Sequence, residues 1–374
     1  MRIGIDVRPL SRPFTGIARY VSSILGELAK IDTKNSYYLY SDRDFPWEFG
    51  IPRWRKRVAA WPRWLPGSLW VQTAGQRMIL QDNLDTFWGP AHTLPLRLPA
   101  NIRKVLTMHD VVWLRYPETM SFYNRQVTRL LAEKSVRQAD QVVADSTATA
   151  ADVQALLRVP ASRIVVIYSG VSGHYHPHDH HRAVLYIAQR FEAQQDYICS
   201  VGTIEPRKNL LTLIEAFGML RNRRQFQGQL LIAGGQGWGK TNIRRAMLKW
   251  GLGEKDVKLL GYVSEEEMPM LYSGAKAFVF PSLYEGFGLP LVEAMACGVA
   301  IVASNTSSIP EVVEDAALLV SPYDSEAMAA GILRLFNDTQ LRAALIERGL
   351  RRAQGFTWEA TARRVLHTLT GVAP

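Results

Sequence analysis

The 374-residue chain is 47% hydrophobic and 21% charged, and its formal net charge is +10. These proportions exclude a disordered or fibrous chain, and the length exceeds one ordinary hydrophobic core, so two domains are expected. Its two cysteines, Cys199 and Cys297, stand far apart. That excludes a disulfide framework or zinc spacing and fits a reducing compartment.

The first run, MRIGIDVRPL, reads as a strand and carries Asp6 inside its only apolar stretch, which argues against a signal peptide. Helix Ile17–Lys30 follows, opened by Gly16 in SRPFTGIARY. A glycine at that turn lets the backbone approach a ligand. Strands are then expected at YYLYS, DTFWG, RKVLTMHD, QVVADS and RIVVIYSG, with a helix over Phe122–Gln138. The segment GHYHPHDHHR, with five histidines and Pro177, breaks the alternation. Its spacing suits an interdomain loop rather than a metal site. Beyond it, strands DYICSVG, QLLIAG, VKLLG, AFVFPS, AIVAS and ALLVS alternate with helices. Such alternation predicts an α/β chain of two doubly wound, mostly parallel sheets. The expected domains are residues 1–172 and 173–356, and the final helix begins near FTWEATARRVLHTL. No apolar stretch approaches membrane-spanning length, and a cytosolic chain is expected.

Charge is uneven along the sequence. Up to Ser172 there are 23 Lys/Arg against 14 Asp/Glu, and the remainder holds 21 against 20. The basic half includes Arg53 and WRKR, Trp54–Arg57, with tryptophans at 47, 54, 61, 64 and 70. Cations beside amphipathic aromatics suit an anionic membrane surface. A solvated basic face is the plainer alternative. Nucleic acid is disfavoured, since no recognition helix or RNA-binding signature accompanies the charge.

Chemistry concentrates in PSLYEGFGLPLVEAMACGVAIVAS, Pro281–Ser304. Glu285 and Glu293 flank a glycine-punctuated loop, and Pro290 suits a first helical turn. The amides of Gly286, Phe287, Gly288 and Leu289 therefore fall at a helix N-terminus, a place suited to phosphate. In VGTIEPRKNL, Arg207 and Lys208 follow a strand end and precede a helix, well placed to neutralise a diphosphate. His109 and Asp110 end VLTMHD, at the C-terminal end of another strand.

Glu285, seven residues, then Glu293 resembles the E-x7-E signature of retaining, nucleotide-sugar-dependent glycosyltransferases of GT-B fold. The resemblance spans nearly the whole chain and implies two Rossmann-like domains facing a cleft, with residues 357–374 crossing back onto the first. It implies catalytic roles for His109, Glu285, Arg207 and Lys208. Donor contacts would come from Gly16, Arg207, Lys208, Gly234, Tyr262, Val263, Glu285, Gly286, Phe287, Gly288, Leu289 and Glu293. Glu293 would hold the ribose, Glu285 the transferred sugar, and His109 would support the donor sugar. Asp110, Arg19 and Tyr20 would serve the acceptor, although helix packing suits the last two equally well. Some relatives carry a further arginine where this chain has Thr203. The N-terminal pattern most resembles mannosyl- or rhamnosyl-type members of surface-polysaccharide and O-antigen synthesis. That favours a GDP-sugar donor and a lipid-linked oligosaccharide acceptor at the cytoplasmic membrane, with no cofactor and no metal. A nucleotide-sugar epimerase of the same fold and a non-enzymatic binding scaffold are the alternatives.

Two further patterns point elsewhere. GGQGWGKT, Gly234–Thr241, satisfies the phosphate-loop pattern. A nucleoside triphosphatase also needs a magnesium-holding aspartate at a later strand end. The later strands end in Gly261, Ser282, Ser304 and Ser321, so Gly234, Gly235 and Lys240 read as neighbours of a donor pocket. Asp42-Arg43-Asp44 mimics a manganese-binding Asp-x-Asp but lacks that fold's context, and it reads as a surface loop.

Overall fold

The computed structural model describes residues 1–12, 15–46, 50–62, 64–120, 122–237 and 241–371. The chain divides into two compact units. The first comprises Met1–Arg115, Phe122–Gly170 and Thr357–Pro374, and the second Tyr116–Ser121 and Val171–Phe356.

The first unit is built on seven strands, β1 (Arg2–Asp6), β2 (Ser36–Ser41), β3 (Trp54–Val58), β4 (Thr86–Gly89), β5 (Arg103–Met108), β6 (Gln141–Ala144) and β7 (Ile164–Val166). They are all parallel, in the order β3-β2-β1-β4-β5-β6-β7, with Ile3 opposite Tyr37 and Ile5 opposite Trp88. Strands covered on both faces read as continuous apolar runs, and the inner ones are buried along nearly their whole length. Trp88, Tyr37, Tyr40 and Phe87 fill this core.

One strand of this sheet, β3, was not among those expected. Its sequence, WRKRV, is that of an edge strand whose faces are partly solvated, so it shows no apolar alternation. Charged side chains on such an edge discourage pairing with a second sheet.

The second unit carries β8 (Tyr197–Val201), β9 (Gln229–Ala233), β10 (Val257–Gly261), β11 (Phe278–Phe280), β12 (Ile301–Ser304) and β13 (Ala317–Val320). Their order is β10-β9-β8-β11-β12-β13, again all parallel. Leu213 and Phe217 from helix Leu210–Asn222, with Met328 and Ile332 from helix Ser325–Asn337, pack with Ile198, Leu230, Val279 and Val302 of the sheet. In each unit the strand order reverses at one point, between β1 and β4 and between β8 and β11. The carboxyl ends of strands at such a point are where open α/β sheets bind ligands.

The last helix, Trp358–Thr370, belongs to the first unit. Thr357 caps it by accepting from the Ala360 amide. Thr361 donates to the Tyr168 carbonyl at 2.8 Å, and Thr86 donates to the Leu369 carbonyl at 2.9 Å. Just before it, the Val171 amide donates to the Phe356 carbonyl. A second crossing of the chain was not foreseen, namely the segment that begins at Tyr116. Its hydroxyl donates to the Leu283 carbonyl at 3.3 Å.

Candidate functional site

The second unit gathers four charged side chains where its strand order reverses. Chain leaving β8 passes through Glu205, Arg207 and Lys208, and chain leaving β11 reaches Glu285. Arg207 Nη1 lies 2.8 Å from one Glu285 oxygen, and Lys208 Nζ lies 2.7 Å from the other. Arg207 also pairs with Glu205 at 2.7 Å and donates to the Tyr284 carbonyl. All four side chains are at most 12% exposed. Burial alone raises a carboxyl pKa, yet the Arg207 and Lys208 charges more than offset it and pull Glu285 down to about 2. Burial pushes the Lys208 ammonium below its usual value, against the pull of Glu285. Glu205 ends above the usual carboxylate value, because burial outweighs Arg207 and Lys208 there. Two cations and two carboxylates cancel, so the cluster is neutral before any ligand charge arrives.

The loop after β11 is held by side chains that sequence reading did not single out. Ser307 accepts from the Glu285 amide at 2.9 Å. Ser308 donates to the carbonyls of Glu285 and Phe287, and Thr306 to that of Leu283. Ser307 stands at φ +51°, a left-handed conformation that disfavours a non-glycine residue. The loop ends at Gly288, φ +101°, where helix Leu289–Ala296 begins with a proline in its first turn. Glycine takes that conformation without penalty. Gly286 and Phe287 are buried in this loop. Glu293 projects from the helix and is 3% exposed, and its Oε2 accepts from the Tyr272 hydroxyl at 3.0 Å.

The other expected donor neighbours are scattered around the same sheet. Gly234 follows β9 at φ +146°, and a Cβ there would collide with the Gly202 carbonyl oxygen. Its glycine is required by that close backbone approach, whatever else it does. Gly235 has open space at its Cβ position. Tyr262 is 68% exposed and Val263 is buried, both just beyond β10 at the sheet's edge. Lys240 lies outside the described residues, as does Trp47.

His109, Asp110, Gly16, Arg19 and Tyr20 belong to the first unit. His109 follows β5. Its Nδ1 meets Asp145 Oδ2 at 2.5 Å, and its Nε2 lies 2.7 Å from the Pro90 carbonyl oxygen. Both neighbours are acceptors, which suits an imidazolium donating from both nitrogens. Burial disfavours the charge, but Asp145 overrides it and the pKa rises. The ring is thus fully engaged by protein, and Thr149 donates to the His109 carbonyl at 3.2 Å. Asp110 caps the short helix Val112–Arg115 by accepting from the Val112 amide. Gly16 opens helix Gly16–Ile31 with nothing within 4 Å of its Cβ position, and Arg19 is half-buried one turn on. Of the two sequence readings of Tyr20, its surroundings match packing. It is 1% exposed, and its ring stands edge-on to His109 at 4.9 Å and to Trp88 and Trp358. It buttresses the histidine from inside the core.

The Asp42–Asp44 pair is not a surface loop throughout. Asp42 is fully buried and pairs with Arg12 at 2.7 Å, while Asp44 is exposed and pairs with Lys56. Among the described residues no group of three or more His, Cys, Asp or Glu is placed to hold a metal ion. Within the histidine-rich segment, the His180 ring meets the Ser273 carbonyl and the His176 and His178 rings lie 4.5 Å apart.

Sequence reasoning missed Glu205, Asp145, Ser307 and Ser308. An acidic residue two places before Arg207 was the available sign for Glu205. The others act across 36 and 22 to 23 residues of chain, which no local pattern reveals.

Comparison with known proteins agrees with this geometry. Residues 187–352 match the model for "Glycosyl transferases group 1", and residues 14–172 match "Glycosyltransferase Family 4". The chain is 33% identical to the O-antigen chain mannosyltransferase B of Escherichia coli, covering 96% of this chain and 97% of that one. It is 28% identical to the serotype-specific mannosyltransferase WbdA of Escherichia coli, covering 76% of this chain and 36% of that protein. Sucrose-phosphate synthase from Thermosynechococcus elongatus superposes with a TM-score of 0.80, at 22% identity and full coverage of both chains. Two parallel Rossmann-like sheets, a charged cluster at the strand reversal and these matches lead to one assignment: the chain belongs to the group 1 glycosyltransferases of GT-B fold.

Proposed function

We propose that the protein is a retaining mannosyltransferase of O-antigen assembly, moving mannose from a GDP-sugar to a lipid-linked glycan. The observation that carries this reading is the 33% identity, over almost the full length of both chains, to an O-antigen chain mannosyltransferase.

The second unit binds the donor. Arg207 and Lys208 receive the diphosphate, aided by the amides from Gly286 to Leu289 at a helix N-terminus. Glu293 holds the ribose hydroxyls, and Tyr262 and Val263 border the base. As the glycosyl–phosphate bond breaks, negative charge grows on the leaving diphosphate, and the two cations stabilise it within a buried site. Glu285 accepts from hydroxyls of the transferred sugar. The positive charge developing at the anomeric carbon favours that nearby carboxylate. The first unit binds the acceptor, with Asp110 and Arg19 toward it. His109 acts through its backbone, since its ring is engaged by Asp145 and Pro90.

The cations replace a metal in this scheme, so transfer is independent of divalent ions. Among the described residues no helix is long and apolar enough to cross a membrane. On this reading the protein works peripherally at the inner face of the cytoplasmic membrane. The test supplies GDP-mannose with a synthetic polyprenyl-diphosphate-linked sugar, in the presence of EDTA, and reads the product by NMR. Mannose transferred with the donor's anomeric configuration supports the proposal. Inverted product, a strict manganese requirement, or epimerised or free sugar formed without acceptor overturns it.

A further inference from the structure

His92 stands between β4 and β5, in FWGPAHT. Its backbone is left-handed, with φ +61°. For a non-glycine residue that conformation is disfavoured and persists only where the surroundings enforce it. The enforcement is visible, since the His92 amide donates to the Thr107 carbonyl on β5 at 3.1 Å. The ring lies 5.3 Å from that of His109 and 5.7 Å from that of Trp113, edge-on to both. Among the described residues, no hydrogen-bond partner meets either of its nitrogens. Nδ1 is shut off from solvent, whereas Nε2 is not among the enclosed unpaired atoms.

Other unpaired polar atoms surround the same histidine pair. Trp113 Nε1, a donor, and Asp145 Oδ1, an acceptor, are both buried without partners. Buried polar atoms without partners are rare in folded proteins and call for a ligand or ordered water. Here they come from chain leaving β4, β5 and β6 at the carboxyl ends of the parallel sheet, where such sheets bind ligands. A donor, an acceptor and a neutral imidazole together match the hydrogen-bonding character of a sugar hydroxyl, which both donates and accepts.

We propose that His92 is a substrate-binding residue whose Nε2 hydrogen-bonds a sugar hydroxyl, in a polar subsite completed by Trp113 and Asp145. The left-handed backbone aims the imidazole. Burial keeps His92 in the neutral form, with a smaller push from the engaged His109 beside it. Burial first, and then the His109 charge, hold its pKa down at about 4 against the pull of Asp110. In the neutral ring Nε2 either donates to the hydroxyl or accepts from it, according to which nitrogen holds the proton. This inference rests on the glycosyltransfer reading for the identity of the sugars, and either the acceptor sugar or the transferred one supplies the hydroxyl.

Two variants separate the side chain from its backbone. His92→Asn tolerates the left-handed conformation but is too short to reach where Nε2 stands. His92→Gln restores an amide near that position. The expected result for His92→Asn is a tenfold or greater loss of kcat/KM with unchanged melting temperature and GDP affinity, partly recovered in His92→Gln. A rise confined to the acceptor KM assigns the hydroxyl to the acceptor, and a rise confined to the donor KM assigns it to the transferred sugar. Wild-type kcat/KM for both substrates in folded His92→Asn overturns the proposal. A direct probe removes dependence on turnover: imidazole 15N resonances of the wild-type protein titrated with octyl α-mannoside and, separately, GDP-mannose. The His92 Nε2 resonance, identified by its loss in His92→Gln, is expected to shift with one of them. If neither ligand moves it, the subsite is wrong. If it shifts while the wild-type protein transfers no mannose, the subsite stands and only the proposed reaction fails.

Discussion

Glu285→Gln removes one charge from the buried cluster and keeps the shape of a neutral carboxyl. In the folded protein the Glu285 pKa is drawn from 4.5 to about 2, and a tenfold change in proton affinity is worth about 1.4 kcal/mol between the protonation states. Ionised Glu285 therefore contributes about 3 kcal/mol at neutral pH, with little discount for solvent because its side chain is 8% exposed. For a unit of this size, 1 kcal/mol corresponds to about 2–4 °C. The unfolding transition of the second unit is expected to fall by about 6–12 °C at pH 7, read by calorimetry. Because the folded pKa is depressed, the contribution is fully present above the unfolded value and is lost as pH falls through the folded one. The gap between wild type and variant should thus narrow steadily from about pH 4.5 toward pH 2. A second readout follows from charge balance. Arg207 and Lys208 lose a carboxylate partner, so GDP should bind the variant more tightly and raise its melting temperature more than it raises that of wild type. A variant that melts within 1–2 °C of wild type at pH 7, or a gap that does not change with pH, refutes the reasoning.

Glu293→Gln keeps an acceptor for the Tyr272 hydroxyl and removes the charge that the proposed ribose contact uses. Titration calorimetry is expected to show GDP binding weakened by about 1.5–3 kcal/mol, and unchanged affinity would take Glu293 out of the donor site. For the membrane contact, Lys56 pairs with Asp44 and Arg57 with Asp82, while Arg55 is exposed and Trp64 is 81% exposed. Arg55→Ser should weaken partition onto anionic vesicles about fivefold, since a basic residue near the surface is worth about 1 kcal/mol, and Trp64→Ser should weaken it further. The loss should disappear in high salt for Arg55 only. Wild-type sedimentation of both variants at low salt would make this edge an ordinary solvated surface.

The sheets were legible because buried parallel strands leave continuous apolar runs such as AFVF and AIVA, and because glycine and proline mark the turns between them. Helix Phe122–Gln138 stands where it was expected. Legibility failed where the physics is not local. Strand β3 carries Arg55, Lys56 and Arg57 because it is an edge, so the same residues read as a basic patch and concealed a strand. The sequence left Tyr20 open between acceptor contact and packing, because the face it occupies is turned to Trp88, His109 and Trp358, drawn from distant parts of the chain. Arg207, Lys208 and Glu285 were each singled out by motif. Their mutual pairing, across 77 or 78 residues, appears only once the strand order places β8 beside β11. Ser307 carries no sequence mark at all, because a left-handed serine is written no differently from any other.

That pairing bears on how the proposed site would work. A buried pair of cations with no anion would be costly in the unliganded protein, and Glu205 and Glu285 remove that cost by cancelling them. The same cancellation means that a diphosphate cannot gain the full attraction of Arg207 and Lys208 unless Glu285 gives up part of its hold. On the proposed assignment, donor binding exchanges one anion for another around the two cations. Glu285 is then released toward the sugar carried by the arriving diphosphate. Ser307 and Ser308 fix the backbone at Glu285, so the exchange is confined to the side chain and needs no movement of the loop. The carboxylate that keeps the unliganded site stable is thus delivered to the transferred sugar when the diphosphate takes its place, and loss of Glu285 should weaken folding and transfer together while strengthening product binding.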